Sequence, residues 1–94
     1  MSGGSLNYAY HGIEDAALSV RQASGVDENG AADHLLFAAA VLRLAAKVAK
    51  DTEWYLSCDT GADELSGQMR RHRDHLMRVA RRFGNLGEIK GVMP

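Results

Sequence analysis

The sequence predicts an all-α domain in which a short N-terminal helix packs on a long antiparallel helical hairpin. Apolar residues recur at three- and four-residue intervals in three segments, and polar turns separate these segments. No segment shows the two-residue alternation of a β-strand. A chain of 94 residues suffices for one domain with a modest core. We expect residues 1–94 to form this domain, with residues 1–6 as an N-terminal arm and residues 84–94 as a C-terminal tail.

The first helix is expected from Asn7 to Ser24. Its buried face consists of Tyr10, Ile13, Ala17 and Val20. Ser5 or Asn7 can cap its start, and Gly25 stands where a left-handed residue closes many helices. Gly12 inside this helix costs about 1 kcal/mol relative to alanine, which favours close packing of another element there.

The second helix is expected from Asp33, a good N-cap residue, to about Leu56. One apolar stripe consists of Leu35, Ala39, Leu42, Ala46 and Ala49, and the other of Phe37, Val41, Leu44, Val48 and Tyr55. The narrow polar side consists of Arg43, Lys47, Lys50 and Trp54. A helix that is apolar around most of its girth is normally buried on several sides. Two helices from the same chain leave part of it uncovered, so we expect a homodimer or a higher oligomer.

The third helix is expected from Ala62 to Phe83, with Gly84 as its stop signal. Thr60 and Asp63 have the spacing of a capping box at its start. Its apolar seam alternates by four and three residues and consists of Leu65, Met69, His72, Leu76, Val79 and Phe83. Because the connection to the second helix is short, these two helices should form the antiparallel hairpin.

Charge divides the chain into two parts. Residues 1–64 carry ten acidic and four basic side chains, whereas residues 65–94 carry seven basic and two acidic ones. The third helix holds the arginines of a candidate partner site, namely Arg70, Arg71, Arg73, Arg78, Arg81 and Arg82. Arginine favours bidentate contacts with carboxylate or phosphate groups. The alternative is internal pairing with the acids of the first two helices, within one fold or across a dimer; those acids are Glu14, Asp15, Asp51 and Glu53.

Several classes of function have little support in the sequence. The single cysteine, Cys58, excludes an internal disulfide and fits a reducing cytoplasm. The N-terminal residues lack the basic and apolar regions of a signal peptide, and no apolar run has the length of a membrane span, so we expect neither. His72 and His75 lie among arginines, which oppose cation binding, so no metal is expected. Neither a glycine-rich phosphate loop nor paired catalytic carboxylates occur, and we expect neither a catalytic residue nor a cofactor.

Two strings remain distinctive, Met1-Ser2-Gly3-Gly4-Ser5-Leu6-Asn7-Tyr8 and Glu53-Trp54-Tyr55-Leu56-Ser57-Cys58-Asp59. They resemble a family of small phage and prophage proteins that open Met-Ser-Gly-Gly-Ser, an aromatic residue, Asn or Asp, and Tyr. Members of this family carry a downstream helix ending in Glu-Trp, followed by Ser-Gly-Asp. Here Leu6 replaces the usual aromatic residue, and Cys58 replaces a glycine. If that loop requires positive φ, Cys58 adopts it only at a cost. The resemblance implies a viral origin in a bacterial host and no particular activity.

These observations favour a non-enzymatic binding protein, encoded by a phage, that acts on a host component such as a defence system by occupying its surface. Tyr8, Trp54 and Asp59 join the arginines as candidate partner-binding residues, because tyrosine and tryptophan are enriched at interface hot spots. The partner would be a host protein with an acidic surface. An oligomeric sponge for an anionic nucleotide and a phage assembly protein are the alternatives. A pI near 6.4 disfavours direct binding of nucleic acid.

Overall fold

The computed structural model describes residues 8–84. This part of the chain contains three α-helices, which are α1 (Ala9–Ser24), α2 (Ala32–Leu56) and α3 (Ala62–Arg82). The prediction of an all-α domain is confirmed, and each helix begins and ends within two residues of its expected bounds. The predicted N-terminal arm, the caps expected at Ser5 or Asn7, and most of the predicted tail lie outside the described residues.

One heptad row on α2 faces α1. Ala39, Ala46 and Glu53 are spaced seven residues apart, and all three are buried. The row leads to the start of α1, because Glu53 Oε1 accepts a hydrogen bond from the backbone N–H of Tyr8 at 3.0 Å. Contact between the end of α2 and the beginning of α1 makes the two helices antiparallel. Alanines in this row allow α1 to approach α2 closely.

A second heptad row on α2 faces α3. It consists of Phe37, Leu44 and Asp51. The Phe37 and Phe83 rings meet edge to face with centroids 5.5 Å apart. Further along α2, Asp51 Oδ2 lies 2.6 Å from Nε2 of His72. These contacts join the start of α2 to the end of α3, which confirms the antiparallel hairpin.

The two rows place α1 and α3 on nearly opposite sides of α2. Positions 37 and 39 are separated by about 200° around a helix. Accordingly, no Cα atom of α1 lies within 8 Å of a Cα atom of α3. The radius of gyration is 16.0 Å, compared with about 13 Å for a compact 100-residue domain. The first helix therefore packs on α2 alone, and the three helices form an open layer.

The core is small, as the alanine content predicts. Its buried apolar residues are Tyr10, Ala17, Ala39, Leu44, Ala46 and Val79. Several large apolar side chains remain exposed, among them Leu18, Trp54 and Met77. No helix within residues 8–84 combines the length and the hydropathy needed to cross a membrane. Much apolar surface therefore lies outside the core of the single chain.

The turn between α1 and α2 differs from its prediction. Gly25 has φ −73°, so it closes α1 without the expected left-handed conformation. Asp33 lies inside α2 and does not cap it. Instead, Asp27 Oδ2 accepts a hydrogen bond from the backbone N–H of Ala31 at 2.8 Å, just before the helix. Gly30 adopts φ 80° in this turn, which glycine does without steric cost.

The turn between α2 and α3 requires a left-handed residue at Cys58, which has φ 65°. The Asp59 N–H bonds to the Trp54 carbonyl at 2.8 Å, and the Cys58 N–H bonds to the Tyr55 carbonyl at 2.9 Å. This pair of bonds is a Schellman motif, in which glycine normally occupies the left-handed position. The positive φ that a glycine at this position would imply is therefore present, although the residue is a cysteine.

Two further local predictions are wrong. The capping box expected from Thr60 and Asp63 does not form, because Gly61 precedes α3 and no side chain caps it. The Thr60 hydroxyl is buried without a hydrogen-bond partner in the described part of the chain. Gly12 is exposed, and a Cβ atom added there would meet no atom within 4 Å. No neighbouring element therefore requires glycine at position 12.

Candidate functional site: a cationic groove between α1 and α3

An open groove runs along α2 between α1 and α3. It arises because these two helices contact opposite sides of α2 and leave one face of it uncovered. Its volume is about 800 Å³. Its apolar surface comes from all three helices and includes Ala17, Leu18, Leu36, Ala40, Val79 and Phe83. Leu18 and Leu36 are 57% and 37% exposed, so the groove presents apolar side chains to solvent.

Four permanently cationic side chains line the same groove. Arg21 comes from α1, Arg43 and Lys47 come from α2, and Arg82 comes from α3. Among the lining residues within positions 8–84, Glu14 is the only one with a carboxylate. None of the four cations lies within ion-pair distance of a carboxylate in residues 8–84. The groove therefore combines an apolar surface with positive charge that has no carboxylate partner in the described part of the chain; the Arg82 guanidinium lies over the Phe83 ring, 5.4 Å from its centroid.

His75 lines the groove beside these cations. Burial lowers the pKa of His75 below its ordinary value of 6.5, and the positive charges of Lys47, Arg78, His72 and Arg43, in decreasing order of effect, lower it further. Protonation would place another positive charge in an already cationic site. The imidazole is consequently neutral at pH 7, and it gains its charge only under acidic conditions.

Aromatic residues surround Lys50, one turn beyond Lys47 on α2. The Lys50 ammonium lies 5.5 Å from the ring centroid of Trp54 and 5.9 Å from that of Tyr10. These distances are within the range of cation–π attraction. Tyr8 meets Tyr10 edge to face with centroids 6.3 Å apart. Tyr8 and Trp54, which the sequence places 46 positions apart, thus lie in one aromatic cluster.

A buried carboxylate joins the two distinctive strings of the sequence. Glu53 is fully buried, and one of its oxygens accepts the hydrogen bond from the Tyr8 backbone. Its Oε2 atom has no hydrogen-bond partner among the described residues. Tyr8 itself has φ 59° at the start of α1, a left-handed conformation that is uncommon for a bulky residue. Glu53 therefore helps to hold a strained residue against the end of α2.

The arginines of α3 are not equivalent. Arg82 lines the groove, and Arg78 is close enough to His75 to lower its pKa. Arg73 forms an exposed ion pair with its neighbour Asp74 at 3.1 Å. The remaining three are exposed and have no carboxylate within ion-pair distance in residues 8–84; they are Arg70, Arg71 and Arg81. Of the six predicted arginines, Arg82 therefore lines the groove, and Arg78 is near it through His75.

The alternative interpretation assigned these arginines to internal acids, namely Glu14, Asp15, Asp51 and Glu53. None of these acids pairs with an arginine within residues 8–84 of one chain. Asp51 instead bonds to His72, and Glu53 bonds to the backbone. Pairing across a dimer interface stays a prediction.

The sequence-based site omitted Arg21, Arg43 and Lys47. The narrow polar side of α2 was the available signal, because Arg43, Lys47 and Trp54 follow one another at helical spacing. Asp59 was included, and its side chain is exposed in the turn after α2. Asp59 has no ion pair in the described part of the chain, although its backbone closes the Schellman motif.

Other chemistry finds little support in the described residues. No three histidine, cysteine or acidic side chains of residues 8–84 come together as a candidate metal site. Cys58 is exposed and forms no disulfide.

No family model matches the chain, and neither a curated protein nor a solved structure matches it.

Proposed function

We propose that this chain is a non-enzymatic binding protein whose groove receives an acidic segment of a partner protein. The observation that carries the proposal is the groove between α1 and α3, where Arg21, Arg43, Lys47 and Arg82 have no carboxylate partner within residues 8–84 and lie beside an exposed apolar surface. Clefts lined by charge of one sign attract ligands of the opposite sign. Apolar contacts then supply affinity, and the charges supply specificity and a faster encounter.

A protein partner fits this groove better than a nucleic acid does. The chain has a net charge of −1, so its positive potential is confined to one region. Nucleic-acid binding draws on many phosphate contacts along a basic surface. The exposed Leu18 and Leu36 would remain uncovered beneath a phosphate backbone. An amphipathic acidic segment would cover them while pairing with the cations.

The resemblance of the two distinctive strings to phage proteins suggests the setting. A phage-encoded protein of this size can act stoichiometrically on a host component, for example by occupying a surface of a defence complex such as a CRISPR effector. Such an inhibitor needs a partner surface and no catalytic residues. We therefore propose host-directed inhibition as the biological form of this binding, with the bacterial cytoplasm as its location.

An anionic nucleotide is a second candidate ligand, favoured by the position of Lys50. Its ammonium lies near the Tyr10 and Trp54 rings. The Trp54 ring is exposed and can stack on a base while the ammonium pairs with phosphate. Calorimetric titration with cyclic and linear nucleotides tests this candidate. Saturable binding that is lost on replacing Trp54 with alanine would favour the nucleotide sponge over the protein-binding function.

Self-association remains part of the proposal, through the face of α2 opposite the groove. Ala45 is half-buried on that face, about 180° around the helix from Leu36. Pairing through the two grooves is disfavoured, because each groove would present four cations to the other. Light scattering should therefore show a dimer or larger species that Ala45→Glu dissociates. A mass near 10 kDa for the wild type at micromolar concentration would exclude association.

Capture from a bacterial lysate tests the proposed function. Arg43→Gln/Lys47→Gln removes two groove cations, and Gln22→Glu/Ser66→Glu makes the same change in net charge at exposed positions outside the groove. We expect wild-type and control proteins to retain the same specific partner, identified by mass spectrometry, and the groove variant to lose it. Higher salt should weaken capture, because the Debye length falls from about 10 Å at 0.1 M to about 3 Å at 1 M. Equal capture by both variants would refute a role for the groove.

A further inference from the structure

We infer that the segment bound by the groove is an acidic amphipathic α-helix, which completes a four-helix arrangement with α1, α2 and α3. This inference rests on the proposed function and specifies the class of its partner. It depends on three properties of the groove, which are its shape, the backbone chemistry of its walls and the distribution of its charges.

The shape of the groove fits a helix. Its two walls, α1 and α3, have no Cα atoms within 8 Å of each other, and α2 forms its base. The α2 residues that line the groove run from Leu36 to Lys47, about 17 Å along the helix axis. A partner helix of about eighteen residues would cover this length and extend beyond it. Bundles of four helices bury their apolar side chains by this kind of packing.

The walls also favour a helix over an extended peptide. Strand-like peptides gain affinity by bonding their backbone to an exposed sheet edge. All three elements beside the groove are α-helices, whose backbone groups already bond within each helix. An extended peptide there would leave its own N–H and C=O groups without protein partners, which is costly where they are buried. A helix satisfies these groups internally.

The charges predict the pattern of the bound helix. Arg43 and Lys47 lie one turn apart on α2, while Arg21 and Arg82 lie on opposite walls. A helix seated between them would carry glutamate or aspartate on both sides of its apolar stripe, as flanking charges do in coiled coils. Because Ala40 is small, large apolar residues such as leucine would fill the space above it.

Two other occupants agree less well with these observations. A second copy of the chain would bring its own cations against this groove, and like charges across an interface disfavour binding. A compact anion is compatible with the volume alone, since small-ligand pockets span about 300–1,000 Å³. However, such an anion would pair with the cations and leave the exposed Leu18 and Leu36 uncovered. The helix is the occupant that uses both the charge and the apolar surface.

A set of synthetic eighteen-residue peptides tests the inference against the full-length protein. The probe has leucine at the a and d heptad positions, glutamate at e and g, and alanine elsewhere. One control has lysine in place of every glutamate, a second has proline at two central positions, and a third has the same composition in scrambled order. Calorimetry measures affinity, and the gain in circular dichroism at 222 nm measures helix formation on mixing.

We expect the probe to bind with a dissociation constant below about 1 mM and to gain helix on binding. The proline, lysine and scrambled controls should bind at least about tenfold more weakly than the probe, because each lacks either the helix, the negative charge or the apolar stripe. Arg43→Gln/Lys47→Gln should weaken probe binding about tenfold or more. Gln22→Glu/Ser66→Glu should change it by less than about threefold.

The outcomes separate this inference from the proposed function. If the proline and scrambled peptides bind as tightly as the probe, the bound segment is not a helix, although loss of lysate capture in the groove variant would still support the proposed function. If the probe does not bind at 1 mM, the inference of a helical partner is likewise wrong, whereas the proposed function is not affected. If the loss of Arg43 and Lys47 changes neither probe binding nor lysate capture, both proposals are wrong. Unchanged dichroism of each free variant would establish that it remains folded.

Discussion

The two heptad rows of α2 reach their partner helices in different ways. The row toward α1 buries the alanines Ala39 and Ala46, whereas the row toward α3 uses the larger residues Phe37 and Leu44. Small side chains bring helix axes close together, and large ones fill a wider gap. One helix therefore supports two kinds of interface, the first sensitive to added volume and the second to lost volume.

The rows also differ in the carboxylate that ends each of them. Glu53 is fully buried and bonds to the Tyr8 backbone through one oxygen. Asp51 is partly exposed and bonds to the His72 ring. A buried carboxylate depends strongly on its partners, whereas water can still solvate a partly exposed one. The α1 interface thus fixes its geometry more strictly than the α3 interface does.

Removing volume from the α3 row should have the largest effect. Leu44 is 5% exposed, and Leu44→Ala should lower the free energy of unfolding by about 2–5 kcal/mol, since a buried cavity forms. Leu76→Ala serves as the matched control, because Leu76 is 45% exposed and leaves little cavity. Urea denaturation measures both variants. Equal losses would show that Leu44 does not have the buried position assigned to it.

Adding volume to the α1 row should have the next largest effect. Ala46 is 1% exposed, and Ala46→Leu should destabilise the fold by about 1–3 kcal/mol because the extra carbons must displace α1. Ala16→Leu makes the same change at an exposed position of α1 and should stay within about 0.5 kcal/mol of the wild type. If Ala46→Leu were neutral or stabilising, the close approach of α1 and α2 would be refuted.

The sequence predicted the helices better than it predicted their ends. Long apolar stripes determine where α2 and α3 lie, because burial of a whole face outweighs any local preference. Single capping bonds contribute only about 1 kcal/mol each, and several residues compete for them. Asp27 therefore replaces Asp33 as the side chain that bonds before α2, and Gly61 rather than Thr60 precedes α3. At Cys58 the resemblance suggested a glycine and left open whether the turn requires positive φ; the structure shows φ 65° there.

The site was harder to predict than the fold. Arginines clustered along α3 are visible in the sequence, but Arg21 and Arg43 join Arg82 only after α2 places α1 and α3 on its opposite sides. Helical periodicity shows that α2 has two apolar stripes, without showing that the third side stays open. Which arginines line the groove therefore depends on a packing angle between helices, and no short motif encodes that angle.

A smaller effect is expected in the turn that connects α2 to the α3 interface. Cys58→Gly should raise the free energy of unfolding by about 0.5–1 kcal/mol. Glycine adopts φ 65° without strain, and this gain should exceed the loss that comes from the greater freedom of glycine in the unfolded chain. Cys58→Ala removes the thiol and keeps the strain, so it should give no comparable gain. Thermal melting under reducing conditions measures both. Equal stabilisation by the two variants would assign the gain to loss of the thiol.

The smallest effect concerns pH and the groove between the two interfaces. Burial and the nearby charges of Lys47 and Arg78 hold the pKa of His75 below 6.5 in the folded chain. Well above pH 6.5 the ring is neutral in both states and contributes no pH dependence. As pH falls below 6.5, the unfolded chain takes up this proton first, so the folded state loses stability until His75 is protonated there as well.

His75→Gln isolates this contribution, because every other ionisable side chain is the same in the two proteins. Urea denaturation of wild type and variant at several values between pH 7.5 and pH 5 should show a smaller loss of stability in the variant. An acidic helix in the groove would oppose the effect by stabilising protonated His75. Adding the glutamate peptide should therefore reduce the difference between wild type and variant. Identical pH dependence of the two proteins without peptide would show that the cations around His75 do not control its protonation.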